Sequence, residues 1–242
     1  MHVPDGTELL LCIPGGSSLP LEDQITAHLD GLITASQFTP IPHLHTTRQN
    51  HAVTFGARPL PDPMLAACAL PARHWQPGPL IRALAEVATN DYLQWHTRYG
   101  DLPPAAPARC FLPFTDRGFS PADHRHGAQQ WATQPLIAAL RQEDPQHVAR
   151  YSGTRLEALG AGLPTYIDYI IGTHLLPDAL ITTSRQVIAT APDRPHRLVT
   201  LREVMAHRDR VCDHLSTLDG DELLVTVAAG HHDPTQGCTC QA

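Results

Sequence analysis

The chain contains no lysine: all 17 of its basic residues are arginine. This absence removes every chemistry that needs an amine on a flexible stem. There is no P-loop lysine for a nucleoside triphosphate, no lysine for a pyridoxal Schiff base and no kinase-type lysine. No cofactor is expected. Aromatic residues are also scarce, at 5%. No stretch of about 18 apolar residues occurs, so no membrane association is predicted. The first residues do not read as a basic-then-apolar leader. Six cysteines are scattered through the chain, and Cys12 and Cys110 sit in apolar runs, where a free buried thiol is the usual reading. A cytoplasmic, reducing setting is the expectation. The formal net charge of −7 argues against a dedicated nucleic-acid binder. A late cluster of Arg185, Arg194, Arg197, Arg202, Arg208 and Arg210 reads as a solvated helix face, with phosphate contact as the alternative.

What is present is enough for a full core: 242 residues, 42% of them hydrophobic. Residues 7–13 form a short, nearly continuous apolar run, the pattern of a strand covered on both faces. Pro14, Gly15, Gly16, Ser17 and Ser18 follow as a turn. Pro20 suits the first turn of a helix, with Ser18 or Leu19 as its cap, and Ile25, Leu29, Leu32 and Ile33 recur at helical spacing. Residues 51–57 alternate as a second strand, and 110–114 read as a third. The clearest helix opens at Pro79, carries Ile81, Leu84, Ala88, Tyr92 and Trp95 on one stripe and ends at Gly100. Residues 101–108 are a rigid connector. Pro121 opens a helix that Pro135 must kink or divide. Helices are predicted over 147–159 and 164–176, and strands over 179–183 and 186–190. Thr200, Leu201, Arg202 and Glu203 form a capping box, and residues 222–227 a last strand. Strands alternating with helices predict an α/β domain over 1–229 with a mostly parallel sheet. Residues 230–242 are a tail without periodicity.

The glycine–serine turn is the first candidate site. Gly15 and Gly16 allow close backbone approach, and Ser17 and Ser18 place two hydroxyls at a helix N-terminus, where an oxyanion is stabilised. The alternative is a tight turn plus cap. Tyr166, Asp168 and Tyr169 form a polar cluster in an unusually apolar helix. Asp168 is a candidate general base, and core tyrosines with satisfied hydroxyls are the alternative. Two metal readings are weaker. His43 and His45 share a strand face if extended, and His231, His232, Cys238 and Cys240 supply zinc-compatible donors at a non-standard spacing. Asp123, His124, Arg125 and His126 diverge on a helix and read as polar surface. His207 and His214 share a face two turns apart and border the core.

The order of these elements resembles that of the tRNA-dependent cyclodipeptide synthases, across most of residues 7–228. The resemblance implies a Rossmann-like three-layer α/β domain and an aminoacyl-tRNA partner. In that family the first strand ends in a turn bearing a nucleophilic serine. Here Pro14 stands at the nucleophile position, Ser17 at an asparagine and Ser18 at the last serine of the turn. The family's late helix carries a tyrosine with a glutamate four residues on, whereas Tyr169 is followed by Thr173. Its basic tRNA-binding helix falls on residues 81–98, which hold only Arg82 and Arg98. Two functions follow as expectations. One is an acyl or aminoacyl transferase with Ser17, Ser18, Tyr169 and Asp168 as catalytic groups and Gly15, Gly16, Tyr166 and Thr173 as substrate-binding residues. The other is a non-catalytic pseudoenzyme or interaction subunit, working with a protein partner or as a homodimer.

Overall fold

A computed structural model describes residues 8–32, 38–40, 54–55, 58–59, 69–75, 77–111, 121–143, 145, 148–151, 153–176, 179–190 and 199–229. The described elements, in chain order, are β1 (Glu8–Ile13), α1 (Leu21–Leu29), β2 (Phe38–Pro40), β3 (Thr54–Phe55), β4 (Arg58–Pro59), β5 (Ala69–Pro71), α2 (Gly78–Tyr99), α3 (Pro121–Ala132), α4 (Pro135–Glu143), α5 (Thr154–Ala161), α6 (Leu163–Leu175), β6 (Ala179–Ile181), β7 (Val187–Ala189), α7 (Leu201–Ser216) and β8 (Leu223–Ala229). Single 3-10 turns cover Ala72–His74, Ala108–Cys110 and Val148–Tyr151. The protein is thus α/β. It divides into two compact units. The first comprises Met1–Leu80, Pro177–Pro192 and Asp209–Ala242, and the second Ile81–Leu176 and Asp193–Arg208. No described helix is long and apolar enough to cross a membrane.

The first unit is built on a mixed sheet with strand order β2-β8-β1-β6-β7, in which β5 also pairs with β8. β1 runs parallel to β6, with Leu10 opposite Leu180, and antiparallel to β8 along its whole length, from Glu8 opposite Ala228 to Ile13 opposite Leu223. β2, β5 and β7 join by antiparallel pairing. Among the described strands of this sheet only the β1–β6 pairing is parallel, so a mostly parallel sheet is not what these residues form. The physical reason is that a continuous apolar run reports coverage of both faces, not strand direction. Residues Leu9, Leu10, Leu11, Cys12 and Ile13 are all buried, and so are Leu223, Leu224, Val225 and Val227 of the antiparallel neighbour.

Side chains alternate along a strand, so Leu9, Leu11 and Ile13 share one face. There they meet Leu21, Ile25 and Leu29 of α1, spaced one helical turn apart, together with Ile181 and Val225. Each such leucine contributes about 2 kcal/mol by leaving water. The helix is shorter than its apolar pattern: Asp30 closes it, Leu32 packs against the same core from beyond its end, and Ile33 lies outside the described residues.

In the second unit α2 places Leu84, Ala88, Tyr92 and Trp95 against Ala158, Leu159, Tyr166 and Ile170 of α5 and α6. Its last buried residue, Tyr99, joins Trp131, Leu136, Ile137, Leu140 and Leu156. The Gly100 amide closes α2 on the His96 carbonyl at 2.8 Å, and Pro135 divides α3 from α4 as its chemistry requires. The 101–108 connector is held rather than loose. The Gln134 carboxamide accepts from the Ala106 amide at 2.8 Å and donates to its carbonyl at 3.1 Å, and Leu102, Ala105 and Ala108 pack on the core.

Three local expectations are corrected. The predicted strand at 110–114 begins instead as a 3-10 turn, and Cys110 is exposed; an apolar run next to the Pro107 stop does not need a ladder partner. The predicted 147–159 helix is interrupted at Gly153, which stands outside helical conformation before α5 and follows a 3-10 turn; glycine is a poor helix former. Pro20 stands just before α1 in extended conformation, and no side chain caps the helix.

The capping box at α7 forms as its sequence requires. The Glu203 amide donates to Thr200 Oγ1 at 3.2 Å, and the Thr200 amide donates to Glu203 Oε2 at 2.8 Å. Glu157, paired with Arg109, accepts from the Leu201 amide at 3.0 Å. Thr200→Ala is expected to cost about 1 kcal/mol in urea denaturation, and Thr200→Ser to restore most of it.

Candidate functional site

The turn after β1 lies in the first unit, and its two glycines are there for different reasons. A Cβ on Gly15 would stand 2.0 Å from the carbonyl oxygen of Asp221. Gly15 therefore permits the close approach of two backbones, the 14–18 turn and the turn that leads into β8. Gly16 has φ +79° with open space around it, a left-handed conformation that favours glycine. Arg73 ties the 3-10 turn after β5 to the same place. Its amide donates to the Gly220 carbonyl at 3.1 Å and its guanidinium pairs with Asp221.

Ser17 is half-buried and its Oγ accepts from the Leu19 amide at 3.2 Å, while Ser18 is exposed. Among the described residues no base hydrogen-bonds to either hydroxyl, the contact by which a serine nucleophile is activated. Cys12, at the end of β1, is no substitute. Burial, with Glu222 nearby, pushes its thiol up to about 12, and the reactive thiolate is scarcely formed at neutral pH.

At the other end of α1 the buried His28 faces the β6–β7 hairpin. Its Nε2 lies 2.9 Å from the Thr182 carbonyl; the carbonyl can only accept, so Nε2 carries a proton and donates it. Arg185, at φ 63°, donates to the His28 and Asp30 carbonyls and locks the hairpin turn to the helix end. Burial lowers the His28 pKa from 6.5; the Thr182 bond opposes this and the Arg185 charge adds to it. The unfolded chain then takes up a proton first as pH falls. Stability contributed by His28 is expected to be full above about pH 6.5, to fall below it, and to level off once the folded ring protonates. Urea denaturation at about pH 7.5 and about pH 5.5 checks this against His28→Gln, since the chain has 16 histidines and only the difference between the two proteins belongs to this one.

The second candidate cluster lies in the second unit, on α6. Tyr166 is fully buried, and its hydroxyl donates to Asp91 of α2. The same carboxylate receives Arg155 Nη2 at 2.7 Å, and Arg155 lies over the rings of Tyr151 and Tyr166 at 5.4 and 5.9 Å. Burial and the Asp91 bond raise the Tyr166 pKa well above the usual phenol range, so this hydroxyl is a donor and not a base. Tyr169 accepts from Thr154 Oγ1 at 3.2 Å. Asp168 pairs with Arg208 at 3.2 Å, and the Arg208 stem reaches it along the surface of Gly172, whose added Cβ would stand 3.2 Å from that stem. Thr173 donates to the Tyr169 carbonyl at 2.9 Å.

The structure thus gathers Gly15, Gly16, Ser17 and Ser18 within the first unit and Tyr166, Asp168, Tyr169 and Thr173 within the second. Asp91 and Arg155, which complete the second cluster, carry no sequence signal beyond an acidic residue beside Tyr92 on the α2 stripe. Of the arginine run, Arg185 and Arg208 are engaged as above and Arg210 donates to the Ala189 carbonyl at 2.9 Å; Arg194 and Arg197 lie outside the described residues. Asp123, Arg125 and His126 are exposed on α3, and His207 is buried, both as expected. His43, His45 and the 230–242 tail lie outside the described residues, and among those described no group of three or more histidine, cysteine or acidic side chains is arranged to hold a metal. Set against known proteins, the chain matches no family model, no curated protein and no solved structure.

Proposed function

We propose that this chain is a non-catalytic binding or interaction protein, related in layout to the cyclodipeptide synthases and lacking their chemistry. One observation carries this reading. The four residues of α6 that the resemblance would place in a site are engaged inside their own unit: Tyr166 by Asp91, Asp168 by Arg208, Tyr169 by Thr154 and Thr173 by the Tyr169 carbonyl. Pro14 at the nucleophile position and Thr173 at the glutamate position support it. The Rossmann-like relationship belongs to the same proposal. The parallel β1–β6 pair, with a glycine turn at the end of β1, favours it; the antiparallel β8 is a departure from it. The partner would be a protein, a second copy included.

The exposed Ser18 beside the left-handed Gly16 favours a second reading, in which the 15–18 turn binds an aminoacyl or similar acyl group and Ser17 or Ser18 accepts it. Incubation of the purified full chain with aminoacyl-tRNA, followed by intact mass spectrometry and product analysis, separates the two. The first reading expects no cyclic or linear dipeptide and no acyl adduct. An adduct mapped to Ser17 or Ser18, lost in the Ser→Ala variants, would replace it by the second.

A further inference from the structure

Helix α1 starts without a side-chain cap. Its first intrahelical hydrogen bond runs from the Gln24 amide to the Pro20 carbonyl at 3.1 Å, so the amides of Leu21, Glu22 and Asp23 precede the ladder. The turn before them adds donors. Ser17 Oγ accepts from the Leu19 amide, which leaves its hydroxyl proton free to donate, and Ser18 is exposed. Gly16 has open space around it. A helix start of this kind favours any oxyanion and by itself selects none.

Gln24 adds a second requirement. It is only 7% exposed, on the inner face of α1 with Leu21 and Ile25. Its Nε2 donates to the Leu19 carbonyl at 2.7 Å. That bond holds the carboxamide back against the start of the helix and fixes which of its ends is oxygen, since a flipped amide would set two acceptors against each other. Oε1 is buried and has no hydrogen-bond partner, a state that costs free energy until a donor arrives. Donors without an acceptor and an acceptor without a donor thus lie within one turn of helix, about 5 Å of rise. A single small group meets both only if it carries charged oxygens and a proton. Hydrogenphosphate does. Sulfate, of the same tetrahedral shape, has lost its last proton at neutral pH.

We propose that the 15–18 turn and the start of α1 form a site for hydrogenphosphate, whose charged oxygens accept from the α1 amides and the serine hydroxyls and whose own hydroxyl donates to Gln24 Oε1. The proposal rests on the part of the second reading in which this turn holds a ligand, and it puts a phosphate where that reading puts an acyl group. Recognition is by neutral dipoles. Arg73, paired with Asp221 beside Gly15, brings one cation to the turn. Asp23, exposed at the helix start, opposes it. Selectivity for the proton, rather than high affinity, is therefore the mark of the site.

The test is a titration of the isotope-labelled full chain at neutral pH with phosphate and, at matched ionic strength, with sulfate, read by the NMR shifts of backbone amides. Saturable shifts at 15–18 and 21–23 are expected with phosphate, and sulfate is expected to bind about tenfold more weakly. Arsenate, which keeps its proton, should follow phosphate, and selenate should follow sulfate. Gln24→Leu removes the acceptor and is expected to bring phosphate down to the level of sulfate without weakening sulfate; a merely structural glutamine would move both together. If Gln24→Leu does not fold, the four anions on the wild-type chain decide the question. Equal binding of phosphate and sulfate, shifts only outside 15–23, or no saturable shift would overturn the proposal. So would an acyl adduct on Ser17 or Ser18 in a chain that binds no phosphate, and that result would leave the ligand reading of the turn standing.

Discussion

Replacing Gly15 by alanine is expected to lower the unfolding free energy by about 3 kcal/mol. The added methyl would meet the Asp221 carbonyl oxygen at 2.0 Å, and both groups are backbone, so no rotamer change relieves the overlap. One of the two turns must move. The move would strain the first rungs of the β1–β8 ladder, where Ile13 lies opposite Leu223. Gly16→Ala supplies the comparison. Its Cβ would meet nothing within 4 Å, but φ is +79°, and a left-handed alanine costs about 1 kcal/mol. Urea denaturation of the two variants should therefore rank Gly15→Ala well below Gly16→Ala, with amide exchange rising first at β1 and β8. Equal effects would mean that conformation, not the approach of the two turns, is what glycine provides at 15.

Truncating Tyr166 to alanine is expected to cost about 4 kcal/mol, the largest effect of any substitution on α6. The side chain is fully buried and joins α2, α5 and α6 in one cluster, so its loss leaves a cavity and removes a donor from Asp91. Two milder variants separate packing from hydrogen bonding. Tyr166→Phe keeps the ring and leaves Asp91 its Arg155 partner, at about 1 kcal/mol. Asp91→Ala strands the buried Tyr166 hydroxyl and costs about 2 kcal/mol; the ion pair adds little, because the side chains of Arg155 and Asp91 are 25% and 41% exposed. Thermal and urea unfolding should give the order Tyr166→Ala, Asp91→Ala, Tyr166→Phe. If Tyr166→Phe costs as much as Tyr166→Ala, the hydroxyl and not the ring holds this cluster together.

These two residues also mark how the candidate site changed between sequence and structure. Two glycines before two serines at a strand end read as a ligand turn. The structure gives Gly15 a partner far along the chain, Asp221 in the turn that leads into β8, and a glycine needed for such an approach looks the same in sequence as one that cradles a ligand. The tyrosines of α6 were legible as a polar pair needing partners, but the partners themselves, Asp91 and Thr154, come from other helices.

What the sequence determined by itself is what short-range chemistry controls. The β1 run, the α2 stripe with its Gly100 stop, the division at Pro135, the apolar α6 and the Thr200–Glu203 box each follow from spacing, proline geometry or side-chain caps acting within a few residues. The missing lysines excluded whole reaction classes without any structure. Tertiary structure decided the direction of β8, because an apolar strand covered on both faces pairs equally well either way in sequence terms. It decided the division into two interleaved units, which depends on contacts between segments far apart in the chain. It also supplied the neighbours of Asp168, Tyr166 and Tyr169, which lie far away in the chain and which no spacing in the sequence reports.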